Sequence, residues 1–193
     1  MPEDIYTPNS YSFELNPEML KQIGEEFDVD KAATEYAKAI EGKSADEADA
    51  EGKVFFENYG KNWIRTTHKL GDEYPDRTYE VLKMAIDKTG GHLKFALLPQ
   101  RFLEIAYLST QELSVLPIIE NNPQRLIYRL PNCTTYEKLK DKCGEETAKR
   151  LPCRHACLAA CQTIHQDLDI DAKIKMDATI PEDGHCEFAV QRA

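Results

Sequence analysis

The hydrophobic period changes once along this chain, near Glu112, and that change restricts the fold more than any other feature. Before it, apolar residues recur three and four apart. Met19, Leu20, Ile23 and Phe27 follow Pro17, and Ala33, Tyr36, Ala37 and Ile40 follow Asp30, which predicts two short amphipathic helices. Ser44-Ala45-Asp46-Glu47 has the form of a helix start, and Phe55, Phe56, Tyr59, Trp63 and Ile64 then make an aromatic stripe at helical spacing, read as core rather than as a cofactor box. Pro75-Asp76 opens a further helix carrying Tyr79, Val81, Leu82 and Met84 and closed by Gly90-Gly91, and Leu97-Leu98-Pro99 leads into another through Phe102, Ile105, Ala106 and Leu108. The first 16 residues, rich in Pro, Asn, Ser and Tyr, read as an irregular lead-in.

After Glu112 the pattern belongs to strands. Leu113 to Glu120 and Gln124 to Leu130 are apolar, branched runs across the turn cluster Asn121-Asn122-Pro123, an antiparallel hairpin. Thr134 or Thr135 is placed to cap a helix running to about Lys149, and Pro152 starts another that holds cysteines. Asp171 to Ile180 and His185 to Arg192 make a second hairpin across Pro181-Glu182-Asp183-Gly184, with Ile174, Met176, Ala178 and Ile180 on one face. The predicted fold class is α+β, an antiparallel four-stranded sheet of two hairpins covered by helices. A helical N-terminal half (1–110) precedes a sheet and cysteine-helix half (111–193) in a single domain of 193 residues.

Charge narrows the partners. Twenty-four Lys and Arg stand against 34 Asp and Glu, a formal net charge of -10, and no basic run is interleaved with aromatics, so neither nucleic acid nor an anionic membrane is expected as partner. Met1-Pro2-Glu3-Asp4 lacks the basic and apolar regions of a signal peptide, and no apolar run reaches the roughly 18 residues of a membrane span. The expected location is cytoplasmic. There the six cysteines read as free thiols or metal thiolates rather than as disulfides.

Cys153, Cys157 and Cys161 recur every four residues, and on a helix successive members are rotated by about 40° and climb ~6 Å, so one face carries all three. The outer two then lie ~12 Å apart along the axis, too far for one zinc ion unless the helix begins at or after Cys153, which Pro152 favours. An iron-sulfur cluster tolerates the spacing better, and Cys133 and Cys186, each on a strand, complete a set of soft ligands. The expected metal ligands are therefore Cys153, Cys157, Cys161, Cys186 and Cys133, holding a 4Fe-4S cluster or zinc. His155, His165 and His185 read as solvent-facing, and Cys143, beside Gly144 at a helix irregularity, as a small packed residue. Glu112, Glu120, Asp177 and Glu187 lie near the sheet but read as solvated charges, not as an acid and base pair.

Gly184-His185-Cys186-Glu187-Phe188, together with the upstream cysteine helix and Asn132-Cys133 at the end of a strand, resembles the 4-vinyl-reductase-type ligand-binding domain and the related L-2-amino-thiazoline-4-carboxylic acid hydrolase family. The resemblance covers about Leu113 to Arg192. It implies an antiparallel sheet with flanking helices, an enclosed pocket for a small organic molecule, and a cysteine-ligated metal. The chain departs from the zinc-binding sensor pattern, because Lys175 and Ala178 stand where a Glu-x2-Cys would precede the last cysteine.

Three functions fit these readings. The leading one is a metal or iron-sulfur protein with a small-organic-ligand pocket and a redox or ligand-sensing role. The second is a metal-independent cysteine hydrolase. The third is a non-catalytic sensor or assembly subunit forming a homodimer through the aromatic helix around Trp63.

Overall fold

The computed structural model describes residues 13–88 and 97–193. The helix end expected at Gly90-Gly91 and most of the lead-in lie outside the described residues. Helices α1 (Pro17–Glu26), α2 (Val29–Ala39), α3 (Ala45–Glu73), α4 (Thr78–Lys88) and α5 (Leu97–Thr110) form the N-terminal half. Strands β1 (Ile118–Asn121) and β2 (Arg125–Leu130) follow, then α6 (Thr134–Cys143), α7 (Glu145–Lys149) and α8 (Arg154–Asp167). Strand β3 (Ala172–Ala178), the single turn α9 (Ile180–Asp183) and β4 (Cys186–Arg192) close the chain.

The fold class is as the period change predicts: helices over one four-stranded antiparallel sheet of order β1-β2-β4-β3. The two hairpins join at their later strands, with Tyr128 opposite Phe188 and Leu130 opposite Cys186. Boundaries differ where local chemistry intervenes. The strand expected over Leu113 to Glu120 starts only at Ile118, because Pro117 brings no N–H to the ladder and Leu113 is already tied back to the Gln111 carbonyl at 2.8 Å. Ile180 leaves the strand face for α9, which ends on Gly184 in the left-handed conformation (φ 74°). Along β3, Lys173, Lys175 and Asp177 are exposed while Ile174, Met176 and Ala178 turn inward.

Helix α3 organises the rest. Ser44 and Glu47 form a reciprocal capping box at its start, and its stripe of Phe56, Trp63 and Ile64 is buried as core. Helix α8 lies along it, its small residues Ala156, Ala159 and Ala160 allowing close approach. At Gly60 the approach is backbone to backbone: a Cβ there would stand 2.1 Å from the Ala156 carbonyl oxygen.

Two apolar cores result. The larger packs α1, α3, α5 and α8 on the sheet through Ile23, Trp63, Tyr107, Tyr128, Ile164 and Phe188. The smaller gathers Ala33, Tyr36, Phe56, Tyr136, Leu139 and Ala148 where α2, α3, α6 and α7 meet. The cysteines straddle the seam: Cys133 and Cys153 belong to the smaller core, Cys161 and Cys186 to the larger. No helix among the described residues is long and apolar enough to cross a membrane.

Candidate thiol site

Both strand-to-helix and helix-to-helix junctions deliver a sulfur to the seam. Pro131-Asn132 ends β2, and Cys133 caps α6, its sulfur accepting the Tyr136 N–H at 3.4 Å. This corrects the expectation that Thr134 or Thr135 caps the helix. The Thr134 hydroxyl is engaged by the Glu112 N–H at 3.1 Å, which leaves the cap to sulfur. Twenty residues later the chain repeats the device. Leu151, at φ 56°, and Pro152 lead into α8, whose N-cap is Cys153. The helix thus begins where Pro152 suggested, but only the α6 N-terminus gives an N–H to its capping sulfur.

Cys133 and Cys153 pack in the same small core and line one cavity. Their environments are unequal. Cys133 is held below the ordinary thiol range by the Cys153 thiol, by the Tyr136 N–H and by the hydroxyl and N–H of Thr135, which together outweigh burial. Cys153 has no such cap bond and is pushed well up, by the contact with Cys133, by burial and by the neighbouring sulfurs. Of the two thiols, Cys133 is the one that gives up its proton more readily.

The donors to Cys133 are themselves oriented. Gln111, just past α5, gives its amide N–H to the Thr135 hydroxyl oxygen at 3.0 Å and takes the Thr135 N–H on its own oxygen at 3.4 Å. Sequence reasoning missed Gln111 and Thr135. Their signal was present only as polar residues flanking an apolar run, which is the signature of any loop.

Cys157 and Cys186 complete the neighbourhood. Burial raises both thiols, Cys186 to about 12, and the Cys133 charge adds to each. Cys157 lies beside the Tyr107 hydroxyl. Cys161 is elsewhere: two turns along α8 it meets Tyr128 and sits 3.9 Å from His165 Nδ1, with burial raising it to about 12. His165, expected to face solvent, is fully buried. It lies one turn beyond Cys161 on the face packed against the sheet, and donates Nδ1–H to the Cys161 carbonyl at 2.8 Å, its proton affinity lowered by burial. His155 and His185 are half-buried. Cys143 is the packed residue expected, 4.0 Å from the Ala33 carbonyl oxygen.

A cavity of about 20 Å³ is lined by Cys133, Cys153 and Cys157, by the polar Thr110, Gln111 and Thr135, and by an aromatic wall that includes Phe56, Tyr59 and Trp63. That is room for one or two waters, an order of magnitude below a pocket preformed for an organic molecule. Trp63 and the aromatic stripe are spent on this wall and on the core, Trp63 being 3% exposed with its ring edge-on to Tyr107 at 5.2 Å.

Four of the five expected metal ligands, Cys133, Cys153, Cys157 and Cys186, are thus neighbours, and Cys161 is not among them. Their chemistry suits zinc or an iron-sulfur cluster. Among the described residues no three His, Cys, Asp or Glu side chains are arranged to hold one ion. The four carboxylates read as solvated charges do not gather into an acid and base pair. Glu187 pairs with Arg129 at 2.7 Å, Asp177 with Lys175 at 2.7 Å, Glu120 with Arg125 at 3.8 Å, and Glu112 is exposed. Comparison with protein-family models, curated proteins and solved structures gives no match to this chain.

Proposed function

We propose that the chain is a thiol-dependent protein in which Cys133 is the nucleophilic thiolate and Cys153 the proton-bearing partner, acting on a small, soft electrophile admitted to the cavity. One observation carries this reading. Cys133 accepts a helix-cap N–H, from Tyr136 at 3.4 Å, and its thiol is shifted down, whereas Cys153, also an N-cap, has no such bond and is shifted up, as burial also shifts Cys157 and Cys186. A thiolate formed without an adjacent imidazole needs such donors, and the α6 N-terminus, Thr135 and Cys153 supply them. Attack by Cys133 leaves a developing negative charge on the leaving group, and the Cys153 proton is the nearest to neutralise it. The same step on a carbon centre would make the protein similar in chemistry to the hydrolases it resembles.

The test is pulse alkylation with iodoacetamide under anaerobic conditions across a pH series, with each cysteine quantified by peptide mass spectrometry. Cys133 labelling is expected to persist as pH falls below the ordinary thiol range, whereas Cys143 labelling falls about tenfold per pH unit. Cys157, Cys161 and Cys186 should stay unlabelled until the protein unfolds. Labelling of Cys133 that declines in step with Cys143 would remove the thiolate. Elemental analysis of the same sample decides the expected metal: stoichiometric zinc, or iron with sulfide, would replace the nucleophile by a metal centre.

A further inference from the structure

We infer that the electrophile is hydrogen peroxide, and that Cys133 and Cys153 form a two-cysteine peroxide-reducing pair that ends each oxidation as a disulfide. The inference rests on the thiol reading above and goes beyond it in naming the substrate class and the fate of both sulfurs.

Size is the first argument. A space of about 20 Å³ takes one or two waters, and so matches a two-oxygen molecule in size. Polarity is the second. Thr110, Gln111 and Thr135 line the same cavity and give a peroxide hydrogen-bonding partners beside sulfur, while Phe56, Tyr59 and Trp63 form its aromatic wall. The third is the arrangement of the sulfurs themselves. A thiol oxidised there is rescued most directly by a second sulfur lining the same cavity, and Cys153 lines it together with Cys133.

The electrons balance in two steps. The Cys133 thiolate attacks one oxygen of HOOH, an S–O bond forms and the O–O bond breaks, so that sulfur loses two electrons and becomes a sulfenic acid. The departing hydroxide takes the Cys153 proton and leaves as water. The Cys153 thiolate then attacks the Cys133 sulfur, an S–S bond forms, the S–O bond breaks, and the second hydroxide leaves to take a proton from solvent. An external dithiol returns the pair to the reduced state by thiol-disulfide exchange.

The full chain, reduced, freed of metal with a chelator and kept anaerobic, is titrated with hydrogen peroxide. One equivalent should remove two thiols, and peptide mapping should find a single link between Cys133 and Cys153. Cys153→Ala should stop at a Cys133 sulfenic acid trapped by dimedone. Cys133→Ser should slow peroxide consumption by roughly tenfold or more, while Cys143→Ser, outside the site, leaves it unchanged. Thiol loss spread over several cysteines, or consumption equal in the wild type and Cys133→Ser, overturns the inference. If in the second case Cys133 still alkylates as a low-pH thiolate, the thiol reading stands and peroxide alone is wrong. If it does not, both fall. Circular dichroism of each variant separates these outcomes from misfolding.

Discussion

At the scale of single residues, the donors that reach a sulfur, and not its place at a helix end alone, set how tightly it holds its proton. Cys133 and Cys153 are both buried N-cap residues, yet only the first receives the Tyr136 N–H and the Thr135 hydroxyl. Cys153→Ala removes the strongest of the donors to Cys133, so the Cys133 alkylation profile is expected to move toward higher pH, toward an ordinary thiol. A profile that does not move would mean that the helix terminus alone sustains the thiolate. A second buried group is legible only in the structure. Glu104 on α5 is raised to about 7 by burial, against which the Gln100 amide at 2.7 Å works only in part. A carboxyl raised on folding binds its proton more tightly in the native state, so stability is highest below the unfolded value of 4.5 and declines as pH rises from there to about 7. Glu104→Gln is expected to flatten that decline and to stabilise the protein at pH 8 by on the order of 2 kcal/mol, read from urea midpoints at pH 5 and pH 8. The residue types of the thiol site were legible in the sequence, and its roles were not. Threonine out-competes cysteine as a cap by propensity, and only the Glu112 N–H, drawn to Thr134 by the fold, leaves the cap to sulfur.

Among the elements, the α3 and α8 pair sets the geometry of the site. Gly60 lets the start of α8 approach to backbone contact, and Cys153 and Cys157 are placed by that approach. Gly60→Ala would force the helices apart and is expected to cost about 1–3 kcal/mol or more by denaturant melt, and to abolish the preference for Cys133 in alkylation. An unchanged midpoint would mean that the seam is looser than the contact implies. Gly144, at φ 84° with nothing near its absent Cβ, separates α6 from α7, where one helix had been expected to run on to Lys149. The helical stripes and hairpins were legible because period survives tertiary context. The separation of Cys161 from the other sulfurs was not, because a rotation of about 40° per four residues accumulates to about 80° between Cys153 and Cys161. That is enough to turn the third thiol from the cavity to Tyr128 on the sheet.

For the molecule as a whole, the seam between two cores is where function gathers. The larger core is tied down by a buried pair, Arg101 with Asp76 at 2.6 Å, which also caps α4 through the Thr78 N–H and reaches the Gly71 carbonyl. Asp76→Ala strands the guanidinium and is expected to destabilise by about 3–5 kcal/mol, seen as a lowered melting midpoint, without altering which thiol ionises. The overall class was legible from one change of period. At the thiol site the aromatic stripe, read as core, packs close and leaves a cavity of about 20 Å³. The most direct test of the account is the ultraviolet thiolate absorbance of the reduced, metal-free protein titrated with acid, in the wild type and in Cys133→Ser. The account predicts one thiolate that survives below the ordinary thiol range in the wild type and is missing in the variant. An absorbance curve that is the same in both would contradict it.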